Sequence, residues 1–364
     1  MTPVYLDYAA TSPIPEAVLQ AMLPWLTEGF GNPSSVHGAG RVARNAVEEA
    51  RESIARQLGC SSEEVIFTSG GTESNHLAIA GWEGGIVTCE AEHEAVLKPA
   101  ESRGARILRA DASARVSAAD VRPFLDAGTL VSVMAVNNEL GTVNPIRDIA
   151  DACHEAGAFL HTDAVQAAVI DTPHIPSLGV DMMTLSGHKV GAPKGVGLLY
   201  VRKGVPWSAL MRGGGQERDR RGGTENVAGI VAMAAALARA RRADLPELNR
   251  RLREGLIATL GDHIRINTPE AGSSPHILQI GVPDVPAGEG SELLILGLDL
   301  EGIQVSAGSA CSSGTLNASH VMAAIGQAGI ASIRYSMGHA TTEADVDRAV
   351  SATRKVISRT LAAL

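Results

Sequence analysis

The stretch Val65-Ile66-Phe67-Thr68-Ser69-Gly70-Gly71-Thr72-Glu73 opens the region whose reading decides the fold. A short run rich in β-branched and aromatic residues ends in two glycines and a hydroxyl, and an amphipathic segment, Asn75–Gly81, follows. The alternation repeats as far as Arg202. Ile86–Cys89, Ile107–Leu108, Leu130–Val136, Phe159–His161, Met182–Leu185 and Gly197–Val201 read as strands, and Ala95–Arg103, Ala118–Asp126 and Ile146–Ala156 as helices between them. Such alternation predicts an α/β fold, a mostly parallel seven-stranded sheet with helices on both faces. Ligands of such sheets bind beyond the carboxyl ends of the strands.

Beyond Arg202 the texture changes. The apolar run Val227 to Ala238 is shorter than the roughly 18 residues of a membrane helix and reads as a buried, Ala-rich helix. Leu245–Leu260 reads as a long helix. After it come a strand at His276–Val282, a helix at Glu289–Glu301, a Gly/Ser/Cys-rich loop and a strand near Ser332–Met337. A last helix starts at the Thr342-x-x-Asp345 capping box. The expected organisation is a large domain over 15–245 and a smaller α+β domain over 246–364, joined by residues 1–14.

Composition excludes several classes. The 364 residues are 45% hydrophobic and 20% charged, enough apolar material for a folded core and too long a chain for one core of average size. Aromatic residues are 3%, so Ala, Val, Ile and Leu must do the packing. A net charge of −9 argues against direct nucleic-acid binding, which needs a basic footprint. The four cysteines (60, 89, 153 and 311) show no C-x-x-C spacing, so neither a disulfide framework nor structural zinc is expected. The start, MTPVYLDYAATSPIP, lacks the basic and apolar regions of a signal peptide. The expectation is a cytoplasmic protein with no membrane association.

Lysine is scarce: Lys98, Lys189, Lys194, Lys203 and Lys355 are five of 31 basic residues. Lys189 lies in Leu185-Ser186-Gly187-His188-Lys189, directly after a strand, where its amine could form a Schiff base. An isolated lysine there is ordinarily a solvated loop residue, and the neighbouring motifs reverse those odds. Gly70-Gly71-Thr72 at a helix start offers free N–H groups to a phosphate, although two glycines can also serve a turn for steric reasons alone. Asp163 closes the strand Phe159-Leu160-His161 and is either a helix N-cap or a carboxylate that keeps a ring nitrogen protonated. His93 in Glu92-His93-Glu94, and Asn137-Asn138-Glu139, follow two further strand ends. Four strand ends finishing in polar side chains are unusual for loops that only connect.

Taken in order, Gly71-Thr72-Glu73, Glu92-His93, Asn137-Asn138-Glu139-x-Gly141, Asp163-Ala164-x-Gln166 and Ser186-Gly187-His188-Lys189 resemble the cysteine desulfurases of the NifS/IscS type. These are fold-type-I, pyridoxal-phosphate-dependent enzymes of the class V aminotransferase group. The resemblance spans the whole chain. It includes Tyr5-Leu6-Asp7-Tyr8-Ala9-Ala10-Thr11, Gly31-Asn32-Pro33-Ser34-Ser35-x-His37, Arg221-Gly222-Gly223-Thr224, Gly308-Ser309-Ala310-Cys311 and Ile333-Arg334-Tyr335-Ser336-x-Gly338. Each motif alone is weak; the ordered set is specific.

The resemblance implies a site for pyridoxal 5'-phosphate. Lys189 would carry the cofactor, Asp163 would pair with the pyridinium nitrogen, and His93 would stack on the ring and help move protons. Gln166 and Asn138 would bond the side of the ring that bears the phenolic oxygen. Gly71, Thr72, Ser186 and His188 would hold the phosphate, joined by Thr224 from the other subunit of a homodimer. Arg334, helped by Asn32, would clamp the carboxylate of the L-cysteine substrate in the forked geometry that suits guanidinium. Cys311 would attack the substrate sulfur, leaving an enzyme persulfide and alanine, and pass the sulfur to acceptor or scaffold proteins. No resident metal is implied, Cys311 serving at most as a transient iron–sulfur ligand.

Cys311 separates the related chemistries. Cys60, Cys89 and Cys153 sit in or beside apolar segments, as most inert cysteines do, whereas Cys311 lies among small residues that offer access. A plain aminotransferase has no use for such a thiol. A selenocysteine lyase is the nearer enzymatic rival, and a non-catalytic scaffold subunit would have lost Lys189, Asp163 or Cys311. The loop before Ser319-His320-Val321 is similar to the group I form of these enzymes. The chain departs from that pattern in a shorter connection before Arg334 and a short tail after its last helix. Both bear on the sulfur acceptor, for which cluster assembly and thiolation of tRNA or cofactors are the expected destinations.

Overall fold

A computed structural model describes residues 2–239, 242–308 and 319–363. Cys311 lies outside the described residues. The strands are β1 (Val4–Tyr5), β2 (Val65–Thr68), β3 (Ile86–Cys89), β4 (Arg106–Leu108), β5 (Leu130–Ser132), β6 (Phe159–Asp163), β7 (Met182–Ser186), β8 (Gly197–Val201), β9 (Arg265–Ile266), β10 (Ile277–Pro286), β11 (Ile303–Gln304) and β12 (Ile330–Ser336). Seven of them form one sheet in the order β2-β8-β7-β6-β5-β3-β4. The neighbours from β7 to β4 pair in parallel; β8 runs antiparallel to both β2 and β7. The reversal has a simple cause. Residues 187–196 are too few for the crossover of about a dozen residues that a parallel return needs.

Alternation along each strand sorts side chains between the two faces. Val65, Phe67, Leu198 and Tyr200 pack on one face with the helices Gly38–Leu58 and Val227–Leu237. Ile66, Leu199 and Val201 pack on the other with Leu77, Ile79 and Trp82. Helix Gly38–Leu58 buries Ala43, Ala46, Val47, Ala50, Ile54 and Leu58, one helical stripe, and ends at Gly59, whose φ of 73° closes the C-terminus. The expected strand Leu130–Val136 is shorter as a ladder, ending at Ser132, because Val136 turns to bridge Val143. Val133 and Ala135 still donate to the carbonyls of His161 and Asp163.

A separate core forms around the antiparallel sheet β12-β10-β9 and the parallel pair β1-β11. Leu245, Leu248, Leu252, Leu256 and Leu260 run along one side of helix Leu245–Leu260 and meet Leu278, Ile280, Ile333 and Tyr335. Val4 and Leu6 from the start of the chain join this core. Helix Glu343–Leu361 begins at the expected capping box, Thr342 Oγ1 accepting from the Asp345 N–H and the Asp345 carboxylate accepting from the Thr342 N–H. Among the described residues no helix is long and apolar enough to cross a membrane.

Candidate active site

Strands β7, β6, β5 and β3 are parallel neighbours, so their carboxyl ends share one edge of the sheet. The sequence puts Lys189, Asp163, Asn137–Glu139 and Glu92-His93 just there. Asp163, the last residue of β6, is buried; Oδ2 accepts from Asn75 Nδ2 at 2.6 Å and Oδ1 from the Val165 N–H at 2.9 Å. Lys189 sits on the single turn Gly187–Val190, closed by Gly191 at φ 94°. Its Nζ donates to the carbonyls of Ala9 at 2.5 Å and Ala10 at 2.7 Å, bringing the first residues of the chain to the same edge.

Gln166 is also fixed, its Nε2 donating to Ala9 O at 3.0 Å. Its Oε1 accepts from His276 Nε2 at 2.9 Å, while His276 Nδ1 meets Ser274 Oγ at 2.7 Å. Burial lowers the His276 pKa to about 3, so the ring is neutral and this chain of bonds has one direction. His93 is the N-cap of helix Glu94–Ser102, its Nδ1 accepting from the Ala95 N–H at 3.0 Å. Burial holds its pKa low, the Asp163 charge opposing and the Lys189 charge assisting. A neutral ring whose Nδ1 accepts carries its proton on Nε2. Glu92 lies beneath, its Oε1 accepting from the Met134 N–H at 2.6 Å, and burial pushes its carboxyl well above the usual range.

Helix Gly71–Ala80 starts at Gly70 with no side-chain cap, so its first-turn N–H groups and positive dipole end are available to an anion. A Cβ at Gly71 would lie 3.2 Å from Val165 Cγ2 and 3.4 Å from Ser186 Cβ; glycine keeps that floor open. Ser186 is buried at the end of β7, and Thr72 is exposed at the helix start. His188 Nδ1 lies 3.2 Å from Thr11 Oγ1, and its pKa falls to about 4 through burial and the charges of Lys189 and Lys194. Glu73, in the same helical turn, is drawn aside by Arg221, whose Nε reaches Glu73 Oε1 at 2.7 Å and whose Nη2 reaches Ser69 Oγ at 2.8 Å. Burial raises the Glu73 pKa, but the bonds from Arg221 and Ser69 outweigh it and hold the carboxylate low. An amine, a pinned carboxylate and an uncapped helix start with a neighbouring hydroxyl are the donor set that a phosphorylated pyridinium aldehyde requires. The residues fit pyridoxal 5'-phosphate.

Arg334, on β12, is 2% exposed. Its Nη1 donates to Asn138 O at 2.7 Å and Gly308 O at 2.5 Å, and its Nη2 to Asp7 Oδ1 at 3.0 Å; Nε has no hydrogen-bond partner among the described residues. Asn138 itself has a buried Oδ1 with none. Two expected members are not in this group. Asn32 is exposed, its Oδ1 accepting from the Ser34 N–H at 2.9 Å, and Thr224 is exposed on the segment after Arg221. Cys311, the expected nucleophile, lies outside the described residues. The other cysteines are free, and burial pushes each thiol up to about 12. No group of three or more potential metal ligands occurs among the described residues.

Several participants carry no signal of their own in the sequence. Asn75, which fixes Asp163, is one of several polar residues in helix Gly71–Ala80 and is buried. His276, which orients Gln166, stands at the start of an expected strand. Asp7 and the Ala9 and Ala10 carbonyls belong to a quoted motif, but only the fold brings residue 7 to residue 334.

Comparison with known proteins identifies the family. The family model described as aminotransferase class-V matches residues 4–349. A curated relative, "Cysteine desulfurase IscS" of Dictyoglomus turgidum, is 42% identical over 98% of this chain and 95% of its own. The solved structure of a "NIFS-LIKE PROTEIN" superposes with a TM-score of 0.86 at 33% identity, covering 98% of this chain and all of that one. Another, "SspA in complex with cysteine", gives 0.80 at 33% identity over 92% and 98% of the two chains. The α/β architecture is that of the fold-type-I enzymes, and the chain belongs to the class-V aminotransferase family.

Proposed function

We propose that this protein is a pyridoxal-phosphate-dependent cysteine desulfurase, a sulfurtransferase that converts L-cysteine to L-alanine and retains the sulfur as an enzyme persulfide. The observation that carries the reading is the placing of Lys189 and Asp163 at the ends of adjacent parallel strands, beside the uncapped start of helix Gly71–Ala80. Lys189 would hold the cofactor covalently, Asp163 its ring nitrogen, Gln166 and Asn138 the edge bearing its phenolic oxygen, and Gly71, Thr72, Ser186 and His188 its phosphate. When bound there, the cofactor supplies an electron sink for the substrate α carbon.

The chain's own residues do the rest. Asn75 and the Val165 N–H keep the Asp163 carboxylate aimed and ionised. His93, neutral with its proton on Nε2, donates at that atom. Arg334 holds the substrate carboxylate, a task supported by its burial and by an Nε with no partner among the described residues. In the sulfur transfer, the Cys311 thiolate forms a bond to the substrate sulfur as the carbon–sulfur bond breaks. The bonding pair goes to the substrate carbon, which takes up a proton. L-cysteine and a thiol thus give L-alanine and a persulfide, with no external reductant.

The enzyme is a cytoplasmic homodimer in this reading. Phe30 and Val36, on either side of Asn32, are 80% and 84% exposed, a surface suited to a subunit interface. Thr224 would complete the partner's phosphate site. The sulfane sulfur goes to acceptor proteins, those of iron–sulfur cluster assembly being the destination the resemblance favours. The deciding experiment compares three purified proteins. The natural chain should be yellow, release alanine from cysteine and gain 32 Da at Cys311. Lys189→Ala should lose the reducible chromophore. Cys311→Ser should keep the colour but form no alanine; sustained turnover by it refutes the reading.

A further inference from the structure

The glutamate of Asn137-Asn138-Glu139 has no part in the mechanism above, yet it is 1% exposed and lies against residues on both sides of Cys311. On one side is Gly308, at φ 126°, where a Cβ would fall 2.6 Å from Glu139 Oε2; the carboxyl occupies the space a side chain would need. On the other is Ser319, whose Oγ donates to Glu139 Oε1 at 2.7 Å while accepting from the Val321 N–H at 3.1 Å as the cap of helix His320–Ala324. Glu139 Oε2 has no hydrogen-bond partner among the described residues.

The surroundings tie this carboxyl to the proposed substrate clamp. Arg334 Nη1 donates to Gly308 O and to Asn138 O, the carbonyl just before Glu139. His320 Nε2 donates to Glu92 O at 2.7 Å, next to His93. Gly308 is therefore held to the group that receives the substrate carboxylate, and three residues of chain from there to Cys311 reach at most about 11 Å. Burial raises the Glu139 pKa, with Ser319, Arg334 and His320 opposing.

We propose that Glu139 is a positioning residue: by accepting from Ser319 and packing against Gly308 it fixes both at the sheet edge and thereby sets how the Cys311 thiol is delivered to substrate. The proposal rests on the desulfurase reading. If it holds, Glu139 serves the sulfur-transfer step and leaves cofactor and substrate binding alone. Without that contact Gly308 and Ser319 sample more arrangements, and few are productive.

The test follows persulfide formation on Cys311 by mass after mixing holoenzyme with L-cysteine. The cofactor absorbance and its change on adding cysteine are recorded on the same samples. Glu139→Ala should slow persulfide formation at least tenfold, with cofactor content and the cysteine-induced spectral change at their natural values. Glu139→Gln, which fills the same volume and still accepts from Ser319 Oγ, should recover most of the rate. Ser319→Ala should slow the natural enzyme yet add less in the Glu139→Ala background than alone, since both remove the Ser319–Glu139 bond. The proposal is overturned by a natural rate in Glu139→Ala, by equal damage in Glu139→Gln, by additive losses in the double variant, or by cofactor loss in parallel with the rate. Absence of persulfide in the natural enzyme would instead bring down the desulfurase reading, and this inference with it.

Discussion

Replacing Glu217 by glutamine tests how the fold sustains the strained turn that precedes Arg221. Glu217, Arg218 and Asp219 lie in succession at φ 47°, 57° and 63°, a left-handed run that costs each non-glycine residue on the order of 1–2 kcal/mol. The turn is held by the Glu217 carboxylate. Its Oε2 accepts from Arg51 Nη1 at 2.7 Å and the Phe67 N–H at 2.8 Å, and its Oε1 from Arg51 Nη2 at 2.8 Å. The two side chains are 4% and 2% exposed, and the guanidinium also stacks 4.6 Å from the Phe67 ring centroid. Glutamine has the same shape but places an amide NH2 among three converging donors and leaves Arg51 with only the half-exposed Glu48 carboxylate, 3.2 Å from its Nε, as counter-charge. Breaking a buried pair from one side costs about 3–5 kcal/mol. A unit of about 230 residues loses about 0.5 kcal/mol per degree at its midpoint, so the apparent Tm should fall by about 6–10 °C. Scanning calorimetry at one fixed rate measures this, because so long a chain need not unfold in two states. Removing both charges, as Arg51→Met with Glu217→Leu, should recover more than half of the loss. A fall below about 2 °C for Glu217→Gln would show that the pair does not anchor the turn.

Two further substitutions probe the site and its supporting core. Arg334→Lys keeps the charge but loses the fork, so half-saturating cysteine should rise about thirtyfold or more, equivalent to about 2 kcal/mol or more, with the chromophore retained; an unchanged value in steady-state kinetics contradicts the clamp. His161 is buried between Ser132 Oγ at 2.8 Å and Thr184 Oγ1 at 3.1 Å, and burial lowers its pKa from 6.5 to about 3. Between these values the unfolded chain binds the extra proton, so stability is complete above pH 6.5 and falls toward pH 3 by up to about 1.4 kcal/mol per unit. His161→Gln should flatten the plot of Tm against pH between 6 and 4; a parallel curve would rule the histidine out.

Much of this fold is legible because its signals are local. The capping box at Thr342 and Asp345, the leucine stripe of Leu245–Leu260 and the alternation from Val65 to Val201 need only a few neighbouring residues to be read. The direction of β8 does not follow from such signals. Its five residues are buried in either orientation, and only the shortness of 187–196 decides the return. At the site, Lys189 and Asp163 stand out because charged groups at strand ends interrupt apolar runs. Asn75 and His276 do not, and the partners of Asp7 and Glu139 are hidden although their motifs are visible, since each acts on a residue far away in sequence: Asn75 on Asp163, Asp7 on Arg334, His276 on Gln166, Glu139 on Ser319. A single sequence gives no measure of those separations.

The same long-range contacts explain why the site lies where it does. The proposed cofactor groups, Asp163, Lys189, Ser186 and His93, come from the edge of the seven-stranded sheet, while Arg334 belongs to β12 in the other core. The first residues of the chain join the two. Val4 and Leu6 are packed in the core of β12, Asp7 receives Arg334, and the carbonyls of Ala9 and Ala10 receive Lys189. Gln166, fixed by neutral His276, donates to the same Ala9 carbonyl. In the proposed function, the substrate carboxylate and its reacting carbon would thus be held by two separately packed cores, connected through five residues of extended and turning chain. Each side chain can then be rigid in its own core, as precise positioning requires, while the contacts of Lys189 with Ala9 and Ala10 and of Asp7 with Arg334 set the distance between the groups.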